Sequence, residues 1–149
     1  MATHYKGSKE EQRVLNAFVA LIRAGESVLK GIAPALEEAG LTISQFGTLE
    51  ALRFVGPLTQ RELGEKLLRS GGNMTMVIDN LEKQGWVKRE RGEEDRRCFR
   101  VSLTVQGKKV IDAAFARHLK LLLKQFSILV PTELEELRAL CKAVGLQKR

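Results

Sequence analysis

Apolar residues along this chain fall into helical and strand periods separated by clear punctuation. Between residues 10 and 32, Val14, Leu15, Phe18, Leu21, Ile22, Val28, Leu29 and Ile32 recur at three- and four-residue spacing with charges between them. That spacing predicts a long amphipathic helix. Pro34 and Gly40 predict a break after it, with Pro34 able to occupy the first turn of a short helix through Ala39. Thr42-Ile-Ser-Gln45 has the form of a capping box: the hydroxyl can accept from the Gln45 amide while the Gln45 side chain reaches back. A helix should therefore begin there, bury Phe46, Leu49 and Leu52, and end before Gly56-Pro57. Thr59-Gln-Arg-Glu62 repeats the box and opens a short helix with Leu63, Leu67 and Leu68 inward. Ser70 is placed to cap a further helix over 70–84, with Met74, Val77, Ile78 and Leu81 inward and Gly85 just past its end.

Alternation then replaces the helical period. Trp86, Lys88 and Glu90 share one parity and Val87 and Arg89 the other, while Phe99, Val101 and Leu103 share a face beyond a charged stretch containing Gly92. This predicts a two-stranded hairpin. Thr104 should cap a long helix carrying Val110, Ile111, Ala114, Phe115, Leu119, Leu122 and Phe126. After Pro131, Thr132-Glu-Leu-Glu135 reads as a third capping box, opening a last helix with Leu134, Leu137, Leu140, Cys141 and Val144 on one face. The expected fold class is mainly α with a small β-hairpin wing (α+β): a winged helix-turn-helix over 37–104, flanked by long helices in 1–36 and 105–149. So small a central unit cannot cover the apolar faces of the end helices. A second copy of the chain is the economical cover; a self-contained helical bundle around the hairpin is the alternative.

Composition narrows the function. The 149 residues suit one domain, and 25 Lys plus Arg against 18 Asp plus Glu give a formal charge of +7, which favours phosphate-rich partners where the charges cluster. Cys98 and Cys141 have no metal-ligand spacing and form no disulfide framework, so a reducing cytoplasm is the expected setting. The N-terminus lacks a secretory pattern, and no apolar run reaches the roughly 18 residues of a membrane span, so a soluble, unexported chain is expected. An enzyme is not expected: there is no glycine-rich phosphate loop, metal cluster or nucleophile constellation, and the two histidines, His4 and His118, are expected to be solvated or locally capped. Both cysteines are expected as small buried groups, Cys98 being the one near arginines, Arg96, Arg97 and Arg100.

The helix over 70–84 carries the binding argument. Burial of its apolar face turns Gly72, Asn73, Thr75, Met76, Asp79 and Lys83 outward. Asn73 suits bidentate bonding to adenine and Thr75 a base or phosphate, while Gly71 and Gly72 let a phosphate approach the helix N-terminus capped by Ser70. In the hairpin tip, Arg91, Arg96 and Arg97 gather around Glu93, Glu94 and Asp95 where no core needs arginine, and arginine suits a narrow minor groove. Asp95 would orient Arg96 or Arg97 through a charge-assisted pair. The candidate DNA-contacting residues are therefore Ser70, Gly72, Asn73, Thr75, Met76 and Lys83 on the helix, with Asp95, Arg96 and Arg97 on a wing over 90–98.

Leu81-Glu-Lys-Gln-Gly-Trp-Val-Lys-Arg89, Asp95-Arg96-Arg97, Val101-Ser-Leu-Thr104 and Gly107 together resemble the signature of the multiple antibiotic resistance regulator (MarR) family of winged-helix repressors. Leu41-Thr42 with Gln45, and Leu58-Thr59 with Glu62-Leu63, resemble that family's preceding segments, so the likeness spans roughly residues 10–145. The resemblance implies a bacterial or archaeal cytoplasmic homodimer built from the first and last two helices. Its 70–84 helices would enter successive major grooves of a pseudo-palindromic double-stranded DNA site, with Arg96 and Arg97 in the flanking minor groove. It further implies no required cofactor and a small aromatic or phenolic effector between the dimer helices and the winged part. Met76 and Asn80 stand where the family often has basic residues, and Glu93 and Glu94 make the tip acidic. Those departures keep a second reading open, a winged-helix protein-interaction module with weak or no DNA binding. No cysteine precedes Cys98, so the family's N-terminal peroxide-sensing cysteine does not carry over.

Overall fold

The computed structural model describes residues 3–67, 71–92, 94 and 97–148. Among them the chain forms α1 (Lys9–Ala39), α2 (Ile43–Phe54), β1 (Leu58–Thr59), α3 (Gln60–Leu67), α4 (Gly71–Lys83), β2 (Val87–Arg91), β3 (Phe99–Leu103), α5 (Val105–Phe126) and α6 (Pro131–Leu146). Two compact units result: Ile32–Leu119, and the residues up to Gly31 together with those from Lys120 onward. No helix among the described residues is long and apolar enough to cross a membrane.

Within Ile32–Leu119, α2, α3 and α4 pack on one another and against an antiparallel sheet of order β1-β3-β2. Leu49, Leu63, Met74, Ile78, Leu81 and Ile111 are fully buried there, with Val87 and Val101 supplied by the sheet. The inward set expected for α4, Met74, Val77, Ile78 and Leu81, is buried as the 3.6-residue period requires. The buried hydroxyl of Thr48 is satisfied by donating to the Ser44 carbonyl at 2.7 Å. Ile32, Ala35 and Leu36 of α1, and Gly107, Ile111 and Ala114 of α5, are buried.

Both central capping boxes form. Thr42 Oγ1 accepts from the Gln45 amide at 3.2 Å and the Thr42 amide donates to Gln45 Oε1 at 2.9 Å. Thr59 Oγ1 accepts from the Glu62 amide at 3.2 Å, and the Thr59 amide donates to Glu62 Oε2 at 2.7 Å. The bond from the Thr59 amide, then one that the Thr59 hydroxyl donates to the same Oε2 at 2.9 Å, hold the Glu62 carboxyl below its ordinary pKa, because they favour the charged acceptor. At the end of α4, Gly85 takes φ +75°, its amide donates to the Glu82 carbonyl at 2.9 Å, and the Trp86 amide donates to Leu81 at 3.0 Å. That left-handed step is where glycine carries no Cβ penalty.

Three expectations change. The break at Pro34 does not occur: α1 runs through it to Ala39. Proline there deletes one helical hydrogen bond, but burial of Ile32, Ala35 and Leu36 on either side and an ion pair between Glu38 and Arg117 hold the next turn in place. Gly40 ends the helix instead, with the Leu41 amide donating to the Leu36 carbonyl at 2.9 Å. The expected two-stranded hairpin is a three-stranded sheet, because Leu58 and Thr59 pair with Val101 and Arg100. The last helix begins at Pro131, not behind a Thr132 cap: proline's fixed φ suits the first helical position, and Glu133 accepts from the Val130 amide at 2.9 Å.

In the unit formed by the chain's two end segments, the Gln125 side-chain amide donates to the Ser27 carbonyl at 3.0 Å, joining α5 to α1. Much of the apolar surface here stays uncovered. Val14, Phe18, Leu21, Ile22, Leu29, Leu123, Leu137, Leu140 and Val144 are all exposed, and no residue of α6 is buried.

Candidate nucleic-acid interface

The amphipathic period of α4 decides which of its side chains can meet a ligand. With Met74, Val77, Ile78 and Leu81 buried, Gly72, Asn73, Thr75, Met76 and Lys83 are exposed along the opposite side, Met76 by 62%. Ser70, Asp95 and Arg96 lie outside the described residues, as do Leu68 and Glu93. Arg97 is exposed on the far side of the hairpin. The Gly92 amide donates to the Cys98 carbonyl at 2.8 Å, closing the base of the wing above the β2–β3 register, in which Arg91 stands opposite Phe99 and Glu90 opposite Arg100. The Arg91 guanidinium lies over the Phe99 ring, 5.7 Å from its centroid.

Three side chains of α4 are held by neighbouring elements. Thr75 Oγ1 accepts from the Gln60 side-chain amide at 2.6 Å, tying the first half of α4 to α3. Asp79, expected as a solvated outward residue, instead accepts from Arg89 of β2 at 2.6 Å, and Glu82 accepts from the same guanidinium at 2.9 Å. The bond to Asp79, then that to Glu82, raises the Arg89 pKa further above its ordinary value, so the guanidinium stays charged. Electrostatically, Arg89 offsets one of the two negative charges that Asp79 and Glu82 place on the helix carrying the candidate reading residues. Sequence reasoning missed both Gln60 and Arg89. The signal for Arg89 was present: it shares the parity of buried Val87, on the strand face that packs against α4, and Asp79 and Glu82 lie three residues apart on that helix.

The cysteines and histidine also differ from expectation. Cys98 and Cys141 are exposed, not buried: Cys98 sits at the edge of the wing, and Cys141 is on α6, no residue of which is buried among the described residues. His118 is half-buried rather than solvated. Its ring lies 4.5 Å from that of Phe46 and 6.3 Å from that of Phe115, and its Nδ1 is buried without a hydrogen-bond partner among the described residues. Burial lowers its pKa, opposed by the charge of Glu50. Among the described residues no group of three or more His, Cys, Asp and Glu side chains is arranged to hold a metal ion.

This arrangement, three packed helices with a hairpin wing, has clear relatives. The MarR family model matches residues 39–97. The HTH-type transcriptional regulator YkoM of Bacillus subtilis, whose own role is uncharacterized, is 32% identical over 141 residues, 95% of this chain and 92% of that protein. The crystal structure of CouR from Rhodococcus jostii RHA1 bound to p-coumaroyl-CoA matches with a TM-score of 0.78 at 25% identity, covering 84% of this chain and 88% of that one. Apo wild-type MarR from E. coli matches with a TM-score of 0.69 at 25% identity, covering 84% and 93%. With a full-length relative at that identity and the fold in agreement, this chain belongs to the MarR family and is a helix-turn-helix transcriptional regulator, not an enzyme.

Proposed function

We propose that the chain acts as a homodimeric repressor that places α4 in the major groove and the 90–98 wing in the flanking minor groove. The carrying observation is the face of α4 itself: Gly72, Asn73, Thr75, Met76 and Lys83 point away from a helix whose other side is fully packed. In this reading Asn73 and Thr75 meet base edges, Lys83 meets phosphate, Met76 makes apolar contact, Ser70 and Gly72 frame a phosphate at the helix start, and Arg96 and Arg97, oriented by Asp95, enter the minor groove. Residues 37–104 then contact DNA while 1–36 and 105–149 pair with a second copy. The exposed apolar positions of α1, α5 and α6 support that pairing, since a lone chain would leave them in water. A small aromatic or phenolic effector is the regulatory ligand in this reading. CouR, of the same fold, is bound to p-coumaroyl-CoA, a phenolic thioester. Such a ligand acts only if it binds the DNA-competent and DNA-incompetent conformations unequally.

The test is selection of a duplex from a random library followed by gel shifts. Asn73→Ala or Thr75→Ala should change which duplex is selected while leaving random-duplex affinity nearly intact. Replacing Arg96 and Arg97 together with alanine should weaken both and flatten the salt slope by about two. A chain that selects no duplex, or whose salt slope ignores the double substitution, would refute the assignment and favour a protein-interaction role.

A further inference from the structure

We propose that Thr104 and Gly107 are positioning residues that fix α4 against the first turn of α5, and so set how the reading face is presented to DNA. The inference rests on α4 being the DNA-reading helix. It starts from the two carbonyls at the end of that helix's cap. The Thr104 hydroxyl donates to the Gly85 carbonyl at 2.6 Å, and the Thr104 amide donates to the Trp86 carbonyl at 3.1 Å. The same hydroxyl accepts from the Gly107 amide at 3.0 Å, which makes it the N-cap of α5. One oxygen therefore serves the exit of one helix and the entry of the next.

Gly107 makes the junction rigid. A Cβ built at this position would lie 1.8 Å from the Trp86 carbonyl oxygen, 2.7 Å from its carbonyl carbon and 3.0 Å from its Cα. All three are backbone atoms, so no rotamer change relieves the contact. Where two helices meet through side chains, those side chains can repack and absorb a small shift. Here backbone rests on backbone, between Trp86 and Gly107, 21 positions apart in the sequence. A displacement of the first turn of α5 must then be passed to Gly85-Trp86 or break the Thr104 bonds. The Schellman bonds of Gly85 and Trp86 to Glu82 and Leu81 continue the linkage into the last turn of α4. Thr104 and Gly107 are not themselves candidate DNA contacts. Their effect reaches the duplex through the position of α4.

The decisive readout is discrimination, which a general loss of stability does not change. Full-length chain is tested on three duplexes: one selected by the unmodified protein, the same duplex lengthened by one central base pair, and a random duplex of equal length. Gly107→Ala is expected to weaken selected-duplex binding about tenfold and random-duplex binding less than about threefold, narrowing the gap to the lengthened duplex. Thr104→Val, which keeps the shape and loses the donor and the cap, should do the same, and Thr104→Ser should restore the selected-to-random ratio to within about threefold of the unmodified protein. Circular dichroism establishes which variants are folded. If Gly107→Ala does not fold, the Val and Ser pair decides alone. Folded variants that keep the original ratio on all three duplexes overturn the proposal, as does Thr104→Ser behaving like Thr104→Val. An unmodified protein that selects no duplex overturns the reading of α4 instead, and the two failures are thereby distinguished.

Discussion

The Arg89 bridge offers the sharpest test of how the reading helix is held. Arg89→Met keeps much of the apolar stem and removes the guanidinium that joins Asp79 at 2.6 Å and Glu82 at 2.9 Å. The guanidinium side chain is 27% exposed, and its two partners are 47% and 44% exposed. Both carboxylates can therefore rehydrate when it is lost, and the large penalty of stranding a buried charge does not apply. Exposed pairs contribute about 0.2–1 kcal/mol each; two on one partly sheltered guanidinium give about 1–2 kcal/mol after screening. With a urea m-value of about 1–3 kcal/mol/M, that corresponds to a midpoint lowered by roughly 0.3–2 M at fixed protomer concentration. Asp79→Asn, Arg89→Met and the double substitution complete a cycle whose coupling energy should be about 0.5–1.5 kcal/mol and should shrink in high salt. DNA binding gives an independent reading: two uncompensated carboxylates on α4 should weaken selected and random duplexes alike, and Asp79→Asn in the Arg89→Met background should recover part of the loss. A coupling energy indistinguishable from zero would refute the bridge as a structural element. A normal coupling energy with unaltered DNA affinity would refute its electrostatic role at the interface.

Two further outcomes follow from features away from the reading face. His118 has a folded-state pKa below its ordinary value of about 6.5, so as pH falls the unfolded chain takes up the proton first; stability is full above about pH 6.5, declines as pH drops toward the folded-state value and is constant below it. His118→Phe, placed against Phe46 and Phe115, should flatten the urea midpoint between about pH 7 and 5, and an unchanged slope would assign the effect to other groups. The exposed apolar positions of α1 and α6 predict, by light scattering at micromolar concentration, about twice the 16.7 kDa chain mass, with Phe18→Glu moving the population toward monomer. A monomeric unmodified chain would refute the packing argument.

The parts of this fold that were legible in the sequence are those whose chemistry is closed within four or five residues. The Thr42–Gln45 and Thr59–Glu62 boxes, the Gly85 exit and the inward faces of α2 and α4 each follow from side-chain type and local period, and each is present. What escaped depends on partners that sequence spacing does not bring together. β1 is two residues long and exists only because Leu58 and Thr59 meet Val101 and Arg100 more than forty positions away. The continuity of α1 through Pro34 depends on burial of its neighbours, which overrides a local penalty of about 3 kcal/mol. Thr132 has the right residue type for a cap, yet Pro131 is better suited to begin the helix, two residues before the Glu133 start that a Thr132 cap implies. Within the candidate site, outward direction was legible for Asn73, Thr75, Met76 and Lys83, but the residues gripping that face from outside the helix were not.

Those grips bear on how α4 can read DNA. Gln60 holds Thr75 from α3, Arg89 holds Asp79 and Glu82 from β2, and Thr104 holds the cap carbonyl of Gly85 from the start of α5. Three elements thus constrain one 13-residue helix along its length, and α4's apolar side is closed by Met74, Ile78 and Leu81. On the proposed reading, a helix so constrained meets the duplex with less orientational freedom left to lose, which lowers the entropy cost of a specific complex. The same constraint means that a change in sequence preference made by altering Asn73 differs in kind from one made by altering Gln60 or Thr104. On the proposed reading, the first replaces a contact at one base position, and the second moves the whole face. Site selection separates them: a contact change relaxes one position of the selected sequence, whereas displacement of the helix degrades several together.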